Sequence, residues 1–189
     1  MNRVDISKLI ISKLKNVTVE FLKNQYEESG PINHIVIDEL LPQEIALELN
    51  DIFPLESELS LLDGIQEKKY VNVYFSKSQK LIEECIYSFQ EPSVIDLIGE
   101  ITRISDLIGD PELYAGGISS MSEGCFLNPH IDNSHDRNLE NYRRLNLLYY
   151  VNKDWIPEDS GGDLILFPKG IKKEEIQIPC KFNRLVIMR

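Results

Sequence analysis

The chain has 189 residues, of which 42% are hydrophobic and 27% charged, ordinary values for one globular domain that exclude a long disordered chain, a collagen-like repeat and a small disulfide scaffold. Thirty-one acidic against twenty basic residues give a net charge of −11, and a surface so acidic repels a phosphate backbone, so no nucleic-acid partner is expected. No run approaches the roughly 20 apolar residues of a membrane span, and the start MNRVDISKLIISKLK, interrupted by Ser12, Lys13 and Lys15, does not read as a secretory leader.

In chain order, Ile6, Leu9, Ile10, Leu14, Val17, Phe21 and Leu22 recur at spacings of three and four, predicting an amphipathic helix within 5–24, at least to about Lys15. Val17-Thr18-Val19 is open to extended backbone. After a break at Glu27–Pro31, His34-Ile35-Val36-Ile37 reads as a short strand. Pro42 opens a helix, PQEIALELNDIF, with proline in the first turn. Two more helices are expected near Lys77–Phe89 and Pro92–Ile108, so the front half reads as mostly helical. Beyond Gly109-Asp110-Pro111, glycines and short runs take over: Leu113–Ile118, Cys125–Ile131, Arg144–Val151, Asp163–Phe167, Glu175–Ile178 and Arg184–Met188. The expected architecture is α+β, mainly β at its centre: a sandwich or barrel with helices packed outside it.

Cys85, Cys125 and Cys180 are few, odd in number and contain no CxxC pair. They read as thiols of a reducing cytoplasm rather than a zinc site or a redox dithiol.

The residues that carry chemistry begin at Phe126-Leu127-Asn128-Pro129-His130-Ile131-Asp132-Asn133. In a strand, residues two apart share a face, so His130 and Asp132 project together while Ile131 turns away. An imidazole nitrogen and a carboxylate oxygen can hold one metal from two corners, and a 2-His-1-carboxylate facial triad is the arrangement of non-haem Fe(II) oxygenases. Spacing alone is weak evidence. Three His and twelve Asp predict roughly 0.2 such pairs by chance, and a hydrogen-bonded pair or a solvated turn is the plainer reading. His135, in a polar turn, and His34, before an outer strand, are not expected to bind metal.

Three segments further along the chain raise the weight of the pair. Tyr142–Trp155 reads YRRLNLLYYVNKDW, Ser160–Pro168 reads SGGDLILFP, and Phe182–Met188 reads FNRLVIM. In these motifs the chain resembles the prolyl-hydroxylase-like branch of the Fe(II)/2-oxoglutarate dioxygenases, over about residues 114–188; the helical front half matches only in general layout. Length and the lack of a long linker give one domain, 1–189, with 1–110 a mostly helical flank. The resemblance makes 111–189 a double-stranded β-helix, or jelly roll, that is incomplete at its C-terminal side. It implies His130 and Asp132 as metal ligands and Tyr150 as the phenol that binds the distal carboxylate of 2-oxoglutarate. Leu148 and Leu164 become walls of that pocket. Asn152–Trp155 becomes a strand end and turn, and Gly161-Gly162 a tight entry to the next strand. Strand periodicity agrees, placing apolar Leu148 beside the polar tip of Tyr150, as a mostly apolar ligand site requires. Read without the family, Tyr150 is a core-edge tyrosine, Leu148 and Leu164 are core, and Arg143-Arg144 is a solvated pair that would otherwise face an acidic substrate.

Two departures accompany the resemblance. The second iron-binding His and a basic partner for 2-oxoglutarate should come after the Arg184–Met188 strand, and the 189 residues do not contain them, so further residues are expected beyond Arg189. Where related enzymes often carry a Tyr before the HxD, this chain has Ser119-Ser120-Met121-Ser122. The expected activity is hydroxylation of a C–H bond in a peptidyl or small-molecule substrate, using Fe(II), 2-oxoglutarate and O2 and releasing succinate and CO2. The alternative is a non-catalytic binding module of the same fold. The oligomeric state is not legible.

Overall fold

The structure is a computed structural model that describes residues 1–114, 116–155 and 161–189, with the backbone alone of Ser78. Its first helix, α1 (Arg3–Val17), is capped by Asn2, whose Oδ1 accepts from the Asp5 amide at 3.0 Å. Ile6, Ile10 and Leu14 line its buried face. The helix does not run through to residue 24: Thr18, at φ 85, breaks it, and α2 (Val19–Glu28) comes next. The break falls within Val17-Thr18-Val19, where a run of β-branched side chains weakens helix.

Strand β1 (His34–Asp38) leads to α3 (Gln43–Asp51), which starts just after Pro42. Residues 52–76 contain no α-helix: after a 3₁₀ turn, Glu56–Glu58, they hold the antiparallel hairpin of β2 (Ser60–Asp63) and β3 (Glu67–Asn72). Helices still make up most of the front half, and the hairpin is an addition to them that the sequence reading does not include. Its strands are polar or exposed and lack a clean alternation, and its sequence signal is the Asp63-Gly64 turn. A short 3₁₀ turn, Lys77–Gln79, precedes α4 (Lys80–Ser88). Next, α5 (Pro92–Thr102) stops before the expected Ile108, because Arg103 turns left-handed and its amide bonds back to Gly99. No described helix is long and apolar enough to cross a membrane.

The back half is built of short strands: β4 (Ile118–Ser120), β5 (Phe126–Leu127), β6 (Asn146–Tyr150), β7 (Leu164–Leu166), β8 (Ile176–Ile178) and β9 (Arg184–Met188). Only Ile118 of the expected Leu113–Ile118 strand is extended; Leu113 sits at φ 51 and Ala115 lies outside the described residues. Gly117 enters β4 at φ +91, where a Cβ would lie 2.4 Å from the Asn72 carbonyl, so only glycine fits. The expected Cys125–Ile131 strand shrinks to two residues, and His130 and Asp132 stand on irregular backbone after it.

The ladders among the described strands are antiparallel, in three sheets: β1-β9-β6, β2-β3-β4 with β5 also on β3, and β7-β8. This is the α+β mixture expected. The β1-β9-β6 sheet separates two apolar clusters. On one face Ile35, Ile37, Leu185 and Ile187 pack against buried residues of all five helices. On the other, Val36, Val186, Leu148, Tyr150 and Met188 meet Leu164, Leu166, Ile176 and Ile178 of the β7-β8 hairpin.

Candidate functional site

The site-facing side of the sheet is set by its register. Pairing sets three rows across β1, β9 and β6: His34–Met188–Asn146, Val36–Val186–Leu148 and Asp38–Arg184–Tyr150. The intervening residues, Leu147 and Tyr149 among them, pack toward the helices by strand alternation. Leu148 and Tyr150 therefore share a face, as strand spacing predicts, and Leu164 of β7, which only the resemblance joins to them, packs in the same cluster.

The two tyrosines of β6 are used differently. Tyr149 donates its hydroxyl to Asn183 Oδ1 at 2.8 Å. The Tyr150 hydroxyl has no hydrogen-bond partner among the described residues. Burial pushes the Tyr150 phenol well above its ordinary pKa, with Cys180 and Asp163 adding to the rise, so it remains a neutral donor.

Beside Tyr150 lies Arg184, a residue that the sequence motifs do not single out. Its guanidinium grips Asp38 with Nε at 2.6 Å from Oδ1 and one terminal nitrogen at 2.9 Å from Oδ2, while the other donates to the Pro179 carbonyl at 2.8 Å. Lys181 adds a bond to Asp38 Oδ2 at 2.9 Å. The Arg184 bond, with help from Lys181, pulls the Asp38 carboxyl down to about 2. The Arg184 fork is thus occupied by Asp38, which offsets one of the two positive charges gathered there.

At the other end of the same face stands the HxD. His130 Nδ1 lies 2.8 Å from the Asn128 carbonyl, which can only accept, so Nδ1 carries a proton. In the neutral ring Nε2 then presents its lone pair to Asp132 Oδ1, 3.1 Å away. Two lone pairs aimed into one spot are relieved by a proton or a metal ion between them. Metal–nitrogen and metal–oxygen bonds of about 2.1 Å at right angles set their donors about 3 Å apart, so the pair fits two adjacent corners of a metal. Asp132 Oδ2 accepts from the Asn146 side-chain amide, and the Arg143 guanidinium lies 3.9 Å from Oδ1. Among the described residues no group of three His, Cys, Asp or Glu comes together.

The loop that carries the pair is clasped by the β2–β3 turn. Asn128 donates its amide to the Gln66 carbonyl at 2.9 Å and its side chain to the Ile65 carbonyl at 2.8 Å. Gln66 returns its own amide to the Asn128 carbonyl at 2.9 Å, the same oxygen that holds His130. Ile131 points away, 98% exposed, as strand alternation would have it, although no strand is present.

The other histidines are elsewhere engaged. His135 bonds Ser134 Oγ at 2.8 Å and packs at a tilt against Tyr142, ring centres 4.2 Å apart. His34 bonds the Ile32 carbonyl at 2.9 Å. The Asn152–Trp155 turn is structural: Trp155 Nε1 donates to the Gly161 carbonyl at 2.7 Å, and Gly162, at φ +85, lies against the indole. Ser160 of the SGGDLILFP motif lies outside the described residues. Arg144 pairs with Asp106 at 3.3 Å.

No curated protein matches the chain. Residues 116–189, less than half of the chain but including both the HxD and the Tyr150 face, match the model of the 2OG-Fe(II) oxygenase superfamily, and the match supports that superfamily and, in general, the Fe(II), 2-oxoglutarate and O2 that go with it.

Proposed function

We propose that the protein is an Fe(II)- and 2-oxoglutarate-dependent dioxygenase of the prolyl-hydroxylase-like branch, built on a jelly roll and working in the cytoplasm. It hydroxylates a C–H bond of a peptidyl or small-molecule substrate. The observation that carries this reading is the His130–Asp132 pair, with Nε2 and Oδ1 3.1 Å apart and Nδ1 committed to a backbone carbonyl. Fixing the far ring nitrogen in this way is how metal-bound histidines are held in one tautomer.

His130 and Asp132 would hold the metal. Tyr150 would donate its free hydroxyl to the distal carboxylate of 2-oxoglutarate, and Leu148 and Leu164 would wall the chain between. Fe(II) and 2-oxoglutarate, when bound, supply oxidative decarboxylation to succinate and CO2 coupled to insertion of one oxygen atom of O2 into the substrate C–H bond. The residues present bind, orient and exclude water. The cluster around Leu148 and Tyr150 is apolar, which strengthens a phenol-to-carboxylate hydrogen bond. Met188 pairs with Asn146, so the C-terminal end of β9 lies at the same end of the sheet as the proposed metal pair, which supports this reading.

The test is succinate release together with anaerobic binding. The intact protein should give a visible charge-transfer band with Fe(II) and 2-oxoglutarate, and should release succinate in air. His130→Ala and Asp132→Ala should each abolish both. Full turnover in either variant removes the metal assignment. An intact protein that binds neither iron nor 2-oxoglutarate would instead be the non-catalytic binding module.

A further inference from the structure

The contacts of Asp132 divide its carboxylate into two oxygens with different tasks. Oδ1 faces His130 Nε2 at 3.1 Å. Oδ2 accepts from the side-chain amide of Asn146. Asn146 is the first residue of β6, in register with Met188 of the central strand, so its backbone is fixed by the sheet. Asp132, by contrast, stands on irregular backbone outside any strand. The anchor is on the rigid partner and the ligand on the compliant one. We infer that Asn146 is a positioning residue for metal binding: its amide occupies Oδ2, stops rotation of the carboxylate, and presents Oδ1 alone to the metal. This rests on the reading of His130 and Asp132 as metal ligands. A carboxylate free to swing can chelate through both oxygens or turn from the site, and one that ligates through a single oxygen leaves more coordination positions open.

Arg143 does not replace this contact. Its guanidinium approaches Oδ1, not Oδ2, at 3.9 Å, beyond ordinary hydrogen-bond reach.

The experiment measures Mn(II) affinity of the intact protein from the loss of the free-ion electron paramagnetic resonance signal. Asn146→Leu keeps the volume and removes the donor; it should weaken Mn(II) binding about 10–100-fold, the usual cost of losing an outer partner of a metal ligand. The metal-free melting temperature should stay near the parent value. Asn146→Gln restores an amide on a longer stem and should recover much of the affinity. Should Asn146→Leu fold poorly, Asn146→Ala carries the same expectation. Parent-like Mn(II) affinity in the folded donor-less variant overturns the role of Asn146 and leaves the metal site standing. Failure of the parent protein itself to bind Mn(II) overturns both.

Discussion

At the scale of single residues, adjacent side chains on β6 divide structure from chemistry. Tyr149 bonds a buried asparagine that is itself satisfied: Asn183 Oδ1 also accepts from the Leu41 amide, and its Nδ2 donates to the Leu41 carbonyl. Tyr149→Phe should therefore cost about 0.5–1.5 kcal/mol in urea unfolding, the usual net value for losing a hydrogen bond whose partner stays satisfied. Tyr150→Phe removes a hydroxyl that bonds nothing among the described residues, and should change stability by less than about 0.5 kcal/mol. On the proposed function, it should instead raise the KM for 2-oxoglutarate roughly tenfold or more, because a hydrogen bond to a carboxylate is lost. The reverse pattern in the two variants would exchange their assignments. The pair is legible in the sequence, since alternation sends neighbours to opposite faces, but alternation does not show which face is helical core. Arg184 escapes a reading of the sequence for a related reason: its partner, Asp38, is 146 positions away, and only the β1–β9 register brings them together.

At the scale of elements, the N-terminal helix is pinned by an ion cluster as well as by its apolar face. The Arg3 amide, Nε and one terminal nitrogen all bond the Glu84 carboxylate of α4, at 2.6, 3.2 and 3.1 Å, and Lys80 approaches it at 2.9 Å. Glu84 is nearly buried, and the Arg3 bond, with Lys80 second, pulls its carboxyl down to about 2. A carboxyl whose pKa is lowered on folding stabilises the folded state above its unfolded value and loses that contribution as pH falls toward its folded value. Glu84→Gln should thus lower stability by about 1–3 kcal/mol at neutral pH. The difference between parent and variant should shrink between pH about 4.5 and pH about 2, monitored by thermal melting across that range. A constant difference would assign the loss to packing. Elements with a strong apolar period are legible in the sequence: α1, α3, α4, β1 and β9 lie close to where the pattern puts them. The β2–β3 hairpin is not, because Lys68 and Lys69 occupy successive positions and no period stands out. The shared direction of His130 and Asp132 is expected from strand alternation, but that reason does not apply, since the loop and its clasp bring them together.

Across the whole molecule, the sheet carries unequal loads. The five described helices cover one face, while the β7-β8 hairpin covers part of the other. A ligand bound between sheet and hairpin adds contacts where the protein has fewest, and anything that binds only the folded state stabilises it by mass action. Mn(II) with 2-oxoglutarate, each at about 100 times its dissociation constant, should contribute about 2.7 kcal/mol apiece. That corresponds to a combined rise in melting temperature of roughly 10–20 °C. The rise should vanish in Asp132→Ala, and its persistence there would place the ligands elsewhere. Such a shift reads binding without turnover.

The clasp on the HxD loop is made largely by main-chain oxygens. Ile65 and Gln66 hold Asn128 through their carbonyls, and the Ile65 side chain, 96% exposed, takes no part. Position 65 is thus a place to attach a reporter: a cysteine there, bearing a spin label or a fluorophore, would ride on the turn that grips the proposed ligand loop while leaving the grip intact. Cys85 and Cys180 are buried, so only Cys125 would need replacing for selective labelling. The distance from that label to Mn(II) would then tell whether the ion sits at the proposed pair, from a vantage point the protein does not use.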